Sequence, residues 1–330
     1  MAITMESIKT LRAMTGAGLA DVKKALTEAD GDMDRAKEIL RERGQAIAAK
    51  RSDRETSNGC VLAKAENGFA AIIALKCETD FVANGADYIA LTQEILDAAV
   101  AAKAKDIETI KNLTLANGQT VAAAITERSG VTGEKMELDG YNFIEGENVS
   151  VYNHMNKNVL CTLVQTNKPA EEQAHAIAMQ VAAMKPVALN EESVDPAIIE
   201  EEKKVAAEKT KQEQVEKAVV NALKKAGINP AHVDSEDHMK SNMAKGWITA
   251  EDVEKAKLII AKTSEEKAAN LPAAMIENIV KGRINRFYKE NCLLNQEFIQ
   301  DSKMSVADYL KAADKDLTVV NFKRFSLQAD

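Results

Sequence analysis

Six consecutive apolar residues, 70–75, constrain this chain more than any other feature, because a strand that is apolar on both faces must be covered on both sides. A strand-like segment, residues 60–65, precedes them, and the turn between the two segments contains Asn67 and Gly68. An Asn-Gly pair between two such segments is typical of a tight β-hairpin. We therefore predict an antiparallel hairpin with a buried second strand, followed by a helix over residues 86–103.

The order of strand, strand and helix recurs further along the chain. Residues 148–152 and 159–165 are strand-like, and residues 170–184 have a helical pattern that stops before Pro186. These patterns predict an α+β fold, in which residues 59–190 form two related subdomains. Each subdomain would consist of a β-hairpin and a helix, with antiparallel sheets.

Residues 1–50 have the apolar periodicity of three short helices. Gly16 ends the first helix, whose inward stripe includes Met14, and Gly44 closes the third. Charged and polar residues without apolar periodicity follow over residues 45–58, which is typical of a linker. We therefore predict a small helical bundle that a linker connects to the rest of the protein.

A long helix over residues 196–226 is predicted because Asp195, an N-cap residue, precedes Pro196 at the first helical position. Its apolar stripe is too thin for a helix that is buried along its whole length. Thr249 and Asp252 form a capping-box pattern at the start of a second helix, and we expect the two helices to form a projecting, coiled-coil-like antiparallel hairpin. The predicted boundaries are a helical bundle (1–50), a linker (51–58), a core N-subdomain (59–145), a core C-subdomain with a C-terminal module (146–199 and 267–330) and the inserted hairpin (200–266).

The composition disfavours several classes of function. With 43 Lys and Arg residues against 51 Asp and Glu residues, the formal net charge is −8, which disfavours direct binding to nucleic acid. The four cysteines are widely spaced, without a Cys-x-x-Cys pair, and predict reduced thiols rather than a metal site. No apolar segment approaches the roughly 20 residues of a membrane span, and the N-terminus lacks the pattern of a signal peptide. We expect a cytoplasmic protein with no cofactor, no metal and no membrane partner.

No catalytic motif is recognisable, and the segment with the most chemical content is residues 78–85. Asp80 and Phe81 lie side by side where the buried strand meets the following helix, a rigid position from which a loop can present side chains. Two interpretations remain open: the pair points outward to a partner, or Asp80 caps the helix and Phe81 fills the core. An enzyme that uses Glu78 and Asp80 as an acid/base pair would also need a His, Lys or metal ligand, and none is near in sequence.

Residues 11–26 (LRAMTGAGLADVKKAL) and residues 77–83 (CETDFVA) are long and specific motifs. In this order and at this separation, they resemble the translation elongation factor Ts family. The resemblance covers the chain except for about residues 200–266, which are longer than the short coiled-coil segment typical of that family. It continues through residues 178–186, 281–283 and 293–299.

The resemblance implies a guanine-nucleotide exchange factor that makes and breaks no bonds of its own. Such a protein binds the GDP-bound GTPase elongation factor Tu and promotes the release of GDP, so that GTP can replace it. The resemblance also implies a UBA-like fold for the N-terminal bundle. It implies three sets of partner-binding residues: a nucleotide-release wedge near the Mg site (Thr79, Asp80, Phe81 and Val82), a contact of the bundle (Arg12, Leu19, Ala20 and Lys23) and a second contact (Gln180, Ile299 and Gln300).

The alternative to an exchange factor is a non-enzymatic interaction scaffold of the UBA type. The N-terminal bundle alone would fit a scaffold, whereas the Thr-Asp-Phe-Val motif at residues 79–82 favours exchange. The sequence leaves open whether residues 200–266 mediate self-association.

Overall fold

The computed structural model describes residues 3–328 and contains helices together with small antiparallel sheets, which confirms the predicted α+β class. The chain forms two compact units. The first contains the residues up to Leu189 and those from Glu297 onward, and the second is Asn190–Gln296. None of the helices within the described residues is both long enough and apolar enough to span a membrane.

Three helices begin the first unit: α1 (Met5–Thr15), α2 (Leu19–Glu28) and α3 (Met33–Lys50). The side chains of Thr4 and Asp32 cap α1 and α3 by accepting hydrogen bonds from backbone N–H groups. The predicted helical bundle is therefore present. Its apolar faces form one buried cluster: Ile8, Leu11, Ala17, Val22, Ala25, Leu26, Ala29, Ala36 and Ile39.

The first sheet contains β1 (Asn58–Glu66), β2 (Phe69–Cys77) and β3 (Met136–Glu145) in the order β1-β2-β3, with antiparallel pairing throughout. Asn67 and Gly68 connect β1 to β2 with positive φ angles of 51° and 71°. Two positive φ angles are the geometry that an Asn-Gly hairpin turn adopts, and the predicted hairpin is confirmed. The third strand, β3, lies in a region for which the sequence patterns predict no element.

Four helices separate β2 from β3. The short α4 (Asp80–Ala83) follows β2 directly, and α5 (Ala86–Ala101) is the helix predicted after the hairpin. The other two are α6 (Ile107–Lys111) and α7 (Val121–Thr132). Their apolar side chains pack with one face of the first sheet around the buried ring of Tyr88.

Two expectations for the bundle are wrong. Met14 is 56% exposed, because α1 ends one residue later and Gly16 turns the chain with a φ of 66°. The third helix does not end at Gly44 but continues to Lys50, since Gly44 lies where α3 crosses α7. At this crossing the two backbones nearly touch: a Cβ added to Gly130 of α7 would lie 2.3 Å from the Cα of Gly44.

The second hairpin consists of β4 (Val149–Asn153) and β5 (Leu160–Thr166), and α8 (Glu171–Met184) packs against both strands. The predicted recurrence of strand, strand and helix is therefore present. Residues 70–75 are buried on both faces because the helices cover one face of β2 and the second hairpin covers the other. The cluster shared by the two sheets contains Val61, Ala70, Ile72, Ala74, Ile144, Cys161 and Leu163.

The second unit consists of α9 (Pro196–Lys225), α10 (Glu236–Ala244), α11 (Ala250–Ala269) and α12 (Ala273–Asn291). The Asp195 side chain caps α9, and α9 packs along α11 as the predicted hairpin requires. Near the end of this hairpin a small apolar cluster forms around α10. It contains Leu223, Ile228, Val233, Met239, Val253 and Ala256.

The predicted boundaries of the inserted hairpin differ from the structure, because α12 also packs against α9. Arg283 on α12 donates from Nη2 to both carboxylate oxygens of Glu213 on α9, at 2.8 Å each. Residues 190–199 and 267–296, which the prediction placed in the core C-subdomain, therefore belong to the second unit together with residues 200–266.

The last segment of the chain returns to the first unit. It forms a short hairpin, β6 (Glu297–Phe298) and β7 (Asp301–Ser305), and then α13 (Val306–Ala313) and β8 (Val319–Ser326). β8 pairs antiparallel with β5, so the second sheet has the order β4-β5-β8.

Candidate partner-binding site

The side chain of Phe81 points into solvent and is 88% exposed, more than any other large apolar side chain of the described residues. It lies on α4, a single helical turn directly after β2. The interpretation of Phe81 as a core residue is therefore wrong. A large aromatic ring that is exposed beside a buried strand is typical of a surface that binds a partner.

The four residues of the predicted wedge differ in what they contact. Thr79 is the N-cap of α4, and its hydroxyl accepts a hydrogen bond from the N–H of Val82 at 3.4 Å. Asp80 is exposed and caps neither helix, because the N-cap of α5 is Gly85. The side chain of Val82 packs against the core of the first sheet. We call the exposed pair, Asp80 and Phe81, the tip.

Glu134, in the turn between α7 and β3, holds the base of the tip. The backbone N–H of Thr79 donates to its Oε2 at 3.1 Å, and the Thr79 hydroxyl donates to its Oε1 at 2.6 Å. The backbone carbonyl of Glu134 in turn accepts a hydrogen bond from the Ser129 hydroxyl at 2.5 Å. Glu134 has no signal in the sequence, because it is 55 residues from Thr79 and belongs to no recognisable motif.

Glu78 precedes the tip and has a structural role. Its carboxylate accepts hydrogen bonds from the Lys135 backbone N–H (2.7 Å), Arg54 Nη1 (2.8 Å) and Arg51 Nη1 (3.2 Å). The Lys135 N–H and the two guanidinium groups hold the pKa of Glu78 below its ordinary value. Because both of its oxygens are engaged, Glu78 is not suited to act with Asp80 as an acid/base pair.

The predicted contact of the bundle lies on the surface. Arg12, Leu19, Ala20 and Lys23 are all exposed, on the last turn of α1 and the first turns of α2. Leu19 is 46% exposed, and Met14, which the stripe placed inside the bundle, adds a second exposed apolar side chain five residues earlier. This surface combines two cationic side chains with apolar ones.

The predicted second contact is divided between the interior and the surface. Gln180 on α8 is fully buried, so its side chain is not available to a partner. Its Nε2 donates to the Glu297 carbonyl at 3.0 Å, and its Oε1 accepts from the Ile299 N–H at 2.8 Å. Ile299 (42% exposed) and the exposed Gln300 lie in the turn between β6 and β7, which Gln180 therefore holds in place.

The carboxylate, histidine and cysteine side chains of the described residues form no site suited to metal or thiol chemistry. Within residues 3–328, no group of three or more His, Cys, Asp or Glu side chains is placed to bind a metal ion. All four cysteines are buried and unbridged. Burial raises the pKa of Cys60 to about 11 and that of Cys161 to about 12, which leaves both thiols protonated and unreactive near neutral pH.

Comparison with known proteins identifies the family. A family model described as "Elongation factor TS" matches residues 78–329. Elongation factor Ts of Phocaeicola vulgatus is 63% identical over 330 residues, which cover the whole of both chains. The proteins of the same name from Bacteroides fragilis and Porphyromonas gingivalis are 63% and 43% identical over 331 residues, again at full length. The chain therefore belongs to the elongation factor Ts family of translation elongation factors.

Proposed function

We propose that this protein is a guanine-nucleotide exchange factor for the GTPase elongation factor Tu. In this proposal, Asp80 and Phe81 enter the GDP-bound partner near its Mg site and promote the release of GDP. The observation that carries the proposal is the tip itself: Phe81 is 88% exposed, while Thr79, directly before the tip, is fixed by two hydrogen bonds to Glu134.

An inserted aromatic ring can release a nucleotide without any bond-making chemistry. GTPases hold Mg²⁺ through a protein hydroxyl, phosphate oxygens and water molecules, and an intruding side chain disturbs this shell. Linkage then requires that the factor by which the protein weakens GDP binding equals the factor by which GDP weakens binding of the protein. The protein is therefore displaced when a nucleotide rebinds.

The other two surfaces supply binding free energy in this proposal. The bundle contact presents Arg12, Leu19 and Lys23, and the β6–β7 turn presents Ile299 and Gln300. Both surfaces belong to the first unit, which also carries the tip. Gln180 contributes by holding the turn and does not contact the partner itself.

The proposal is tested by the release of fluorescently labelled GDP from elongation factor Tu, measured with the parent protein and with Phe81→Ala. Loss of an aromatic anchor typically costs about 2 kcal/mol, so we expect release to slow roughly 30-fold at a fixed protein concentration. The melting temperature should stay unchanged, because the ring is already in water. Trp247→Ala is the matched control, since Trp247 is 60% exposed on the second unit.

Two results would contradict the proposal. In the first, Phe81→Ala releases GDP at the parent rate. In the second, Phe81→Ala loses about 3–5 kcal/mol of folding free energy, the cost of truncating a buried aromatic side chain. A slowing by Trp247→Ala that equals the effect of Phe81→Ala would show that loss of any exposed aromatic ring has this effect.

A further inference from the structure

The tip cannot be held in place by its own helix. α4 contains only four residues, and isolated helices of this length are not stable in water. The exposed ring of Phe81 contributes little packing, and Ala83 is the only residue of α4 that is buried. The attachments of α4 to the rest of the protein, which are the packing of Val82 and Ala83 and the hydrogen bonds of Thr79, must therefore set the direction in which the tip points.

Glu134 provides a contact at the base of α4 from a distant part of the sequence. Its two carboxylate oxygens accept the backbone N–H and the hydroxyl of Thr79, so the residue before the tip is held at two points. Hydrogen bonds to a charged acceptor are stronger than neutral ones, and a two-point contact also fixes orientation. Thr79 is exposed, so both hydrogen bonds form at the protein surface.

The turn that carries Glu134 is itself held by α7. The Ser129 hydroxyl, 2% exposed, donates to the Glu134 carbonyl, and Gly133 ends α7 with a φ of 72°. One turn earlier in sequence, Gly130 makes the close crossing with Gly44 of α3. Glu134 is therefore attached to the helix on which the N-terminal bundle packs.

We propose that Glu134 is a positioning residue for nucleotide exchange: it does not contact the partner but holds the tip in the direction that insertion requires. This inference rests on the proposed exchange function. A displacement of about 1 Å from the productive geometry can lower a rate about 100-fold, so a tip that is only partly misplaced is expected to lower the release rate by about tenfold or more.

The test compares three variants of the full chain in GDP release from elongation factor Tu. Glu134→Ala removes both acceptors, and Glu134→Gln keeps one acceptor oxygen of the same reach. Asp139→Asn is the matched control, because Asp139 pairs with Lys76 at 2.7 Å across β2 and β3 and touches neither Thr79 nor the tip. Hydrogen exchange of the peptide over residues 78–85 is followed in each free protein.

We expect Glu134→Ala to lower the maximal release rate at saturating protein by at least about tenfold, with a half-saturating concentration within about twofold of the parent value. The bundle contact and the β6–β7 turn still bind the partner, which explains the unequal effects. Exchange of the peptide over residues 78–85 should accelerate, Glu134→Gln should recover part of both properties, and Asp139→Asn should match the parent.

The outcomes separate this inference from the proposed function. If Phe81→Ala slows GDP release but Glu134→Ala keeps both the parent rate of GDP release and the parent hydrogen exchange over residues 78–85, the positioning role is overturned and the proposed function stands. The same holds if Glu134→Ala raises only the half-saturating concentration. If Phe81→Ala itself releases GDP at the parent rate, the proposed function fails and the positioning role fails with it.

Discussion

Substitution of Gly130 by alanine should loosen the attachment of the N-terminal bundle to α7. The new Cβ would lie 2.3 Å from the Cα of Gly44 and 3.1 Å from its carbonyl carbon. Carbon atoms in favourable contact are about 3.5–4.0 Å apart, so α3 and α7 must separate by more than about 1 Å. Because the obstacle is backbone rather than a mobile side chain, we expect a collision cost of about 1–3 kcal/mol.

Gly44→Ala is the matched control for this collision. A Cβ on Gly44 lies 3.5 Å from the Cα of Gly130, which is an ordinary contact. Both substitutions gain about 1 kcal/mol of helix propensity, so the difference between the two variants isolates the collision. Gly282→Ala, where the Cβ has no neighbour within 4 Å, shows the propensity gain alone.

Local hydrogen exchange is the appropriate assay, because a chain with two compact units does not unfold in a single two-state step. Peptides over residues 33–50 and 121–132 should exchange roughly 5- to 150-fold faster in Gly130→Ala than in Gly44→Ala, which corresponds to about 1–3 kcal/mol in opening free energy. Equal exchange rates in the two variants, whether both are slow or both are fast, would show that the Cβ of Gly130→Ala causes no collision at this crossing.

Two further predictions follow from the ionisable groups of the first unit. Glu78→Gln should be less stable than the parent at pH 7 by about 1–3 kcal/mol, because it loses charge-assisted hydrogen bonds. The folded pKa of Glu78 is depressed, so its contribution is fully present at neutral pH and is lost as the pH falls through that lowered value. Opening free energies from hydrogen exchange of the peptide over residues 78–85 should therefore converge for the two proteins as the pH falls through the lowered pKa of Glu78. In the native protein, Cys60 and Cys161 should stay unlabelled by Ellman's reagent at pH 8 and react only after unfolding. Burial raises the pKa of both thiols and keeps them protonated at this pH. Labelling of either thiol in the native state would show that it is accessible and would contradict the prediction.

The sequence predicts those elements whose determinants are local. The Asn67-Gly68 turn defines the first hairpin, and Asp195 before Pro196 marks the start of α9. The third strand of the first sheet has no such local signal. Its pairing with β2 shifts register between Ile73 and Leu75, and Gly140 lies beside this irregularity with a φ of 146°. An irregular strand loses the strict alternation that a sequence pattern detects.

Long-range contacts also explain what the sequence left open at the candidate site. An aromatic residue after a buried strand fits a core as well as a surface, and only the packed structure shows that Phe81 is exposed. The role of Gln180 depends on the β6–β7 turn, 119 residues away at Ile299. Glu134 contacts Thr79 across 55 residues. Such pairings follow from the tertiary fold and have no local pattern.

A tip that is ordered before it meets a partner changes how binding free energy is used. Fixing one residue of a flexible loop costs about 1–2 kcal/mol, so ordering the four residues of α4 only on association would cost several kcal/mol. The hydrogen bonds of Thr79 to Glu134 and to the N–H of Val82 order the tip when the protein folds, so this entropy is not lost on association. In the proposed exchange, the free energy gained at the bundle contact and the β6–β7 turn then remains available for displacing the nucleotide. A chain with the same Asp80-Phe81 pair on an unanchored loop would bind the same partner through those two surfaces and release GDP more slowly.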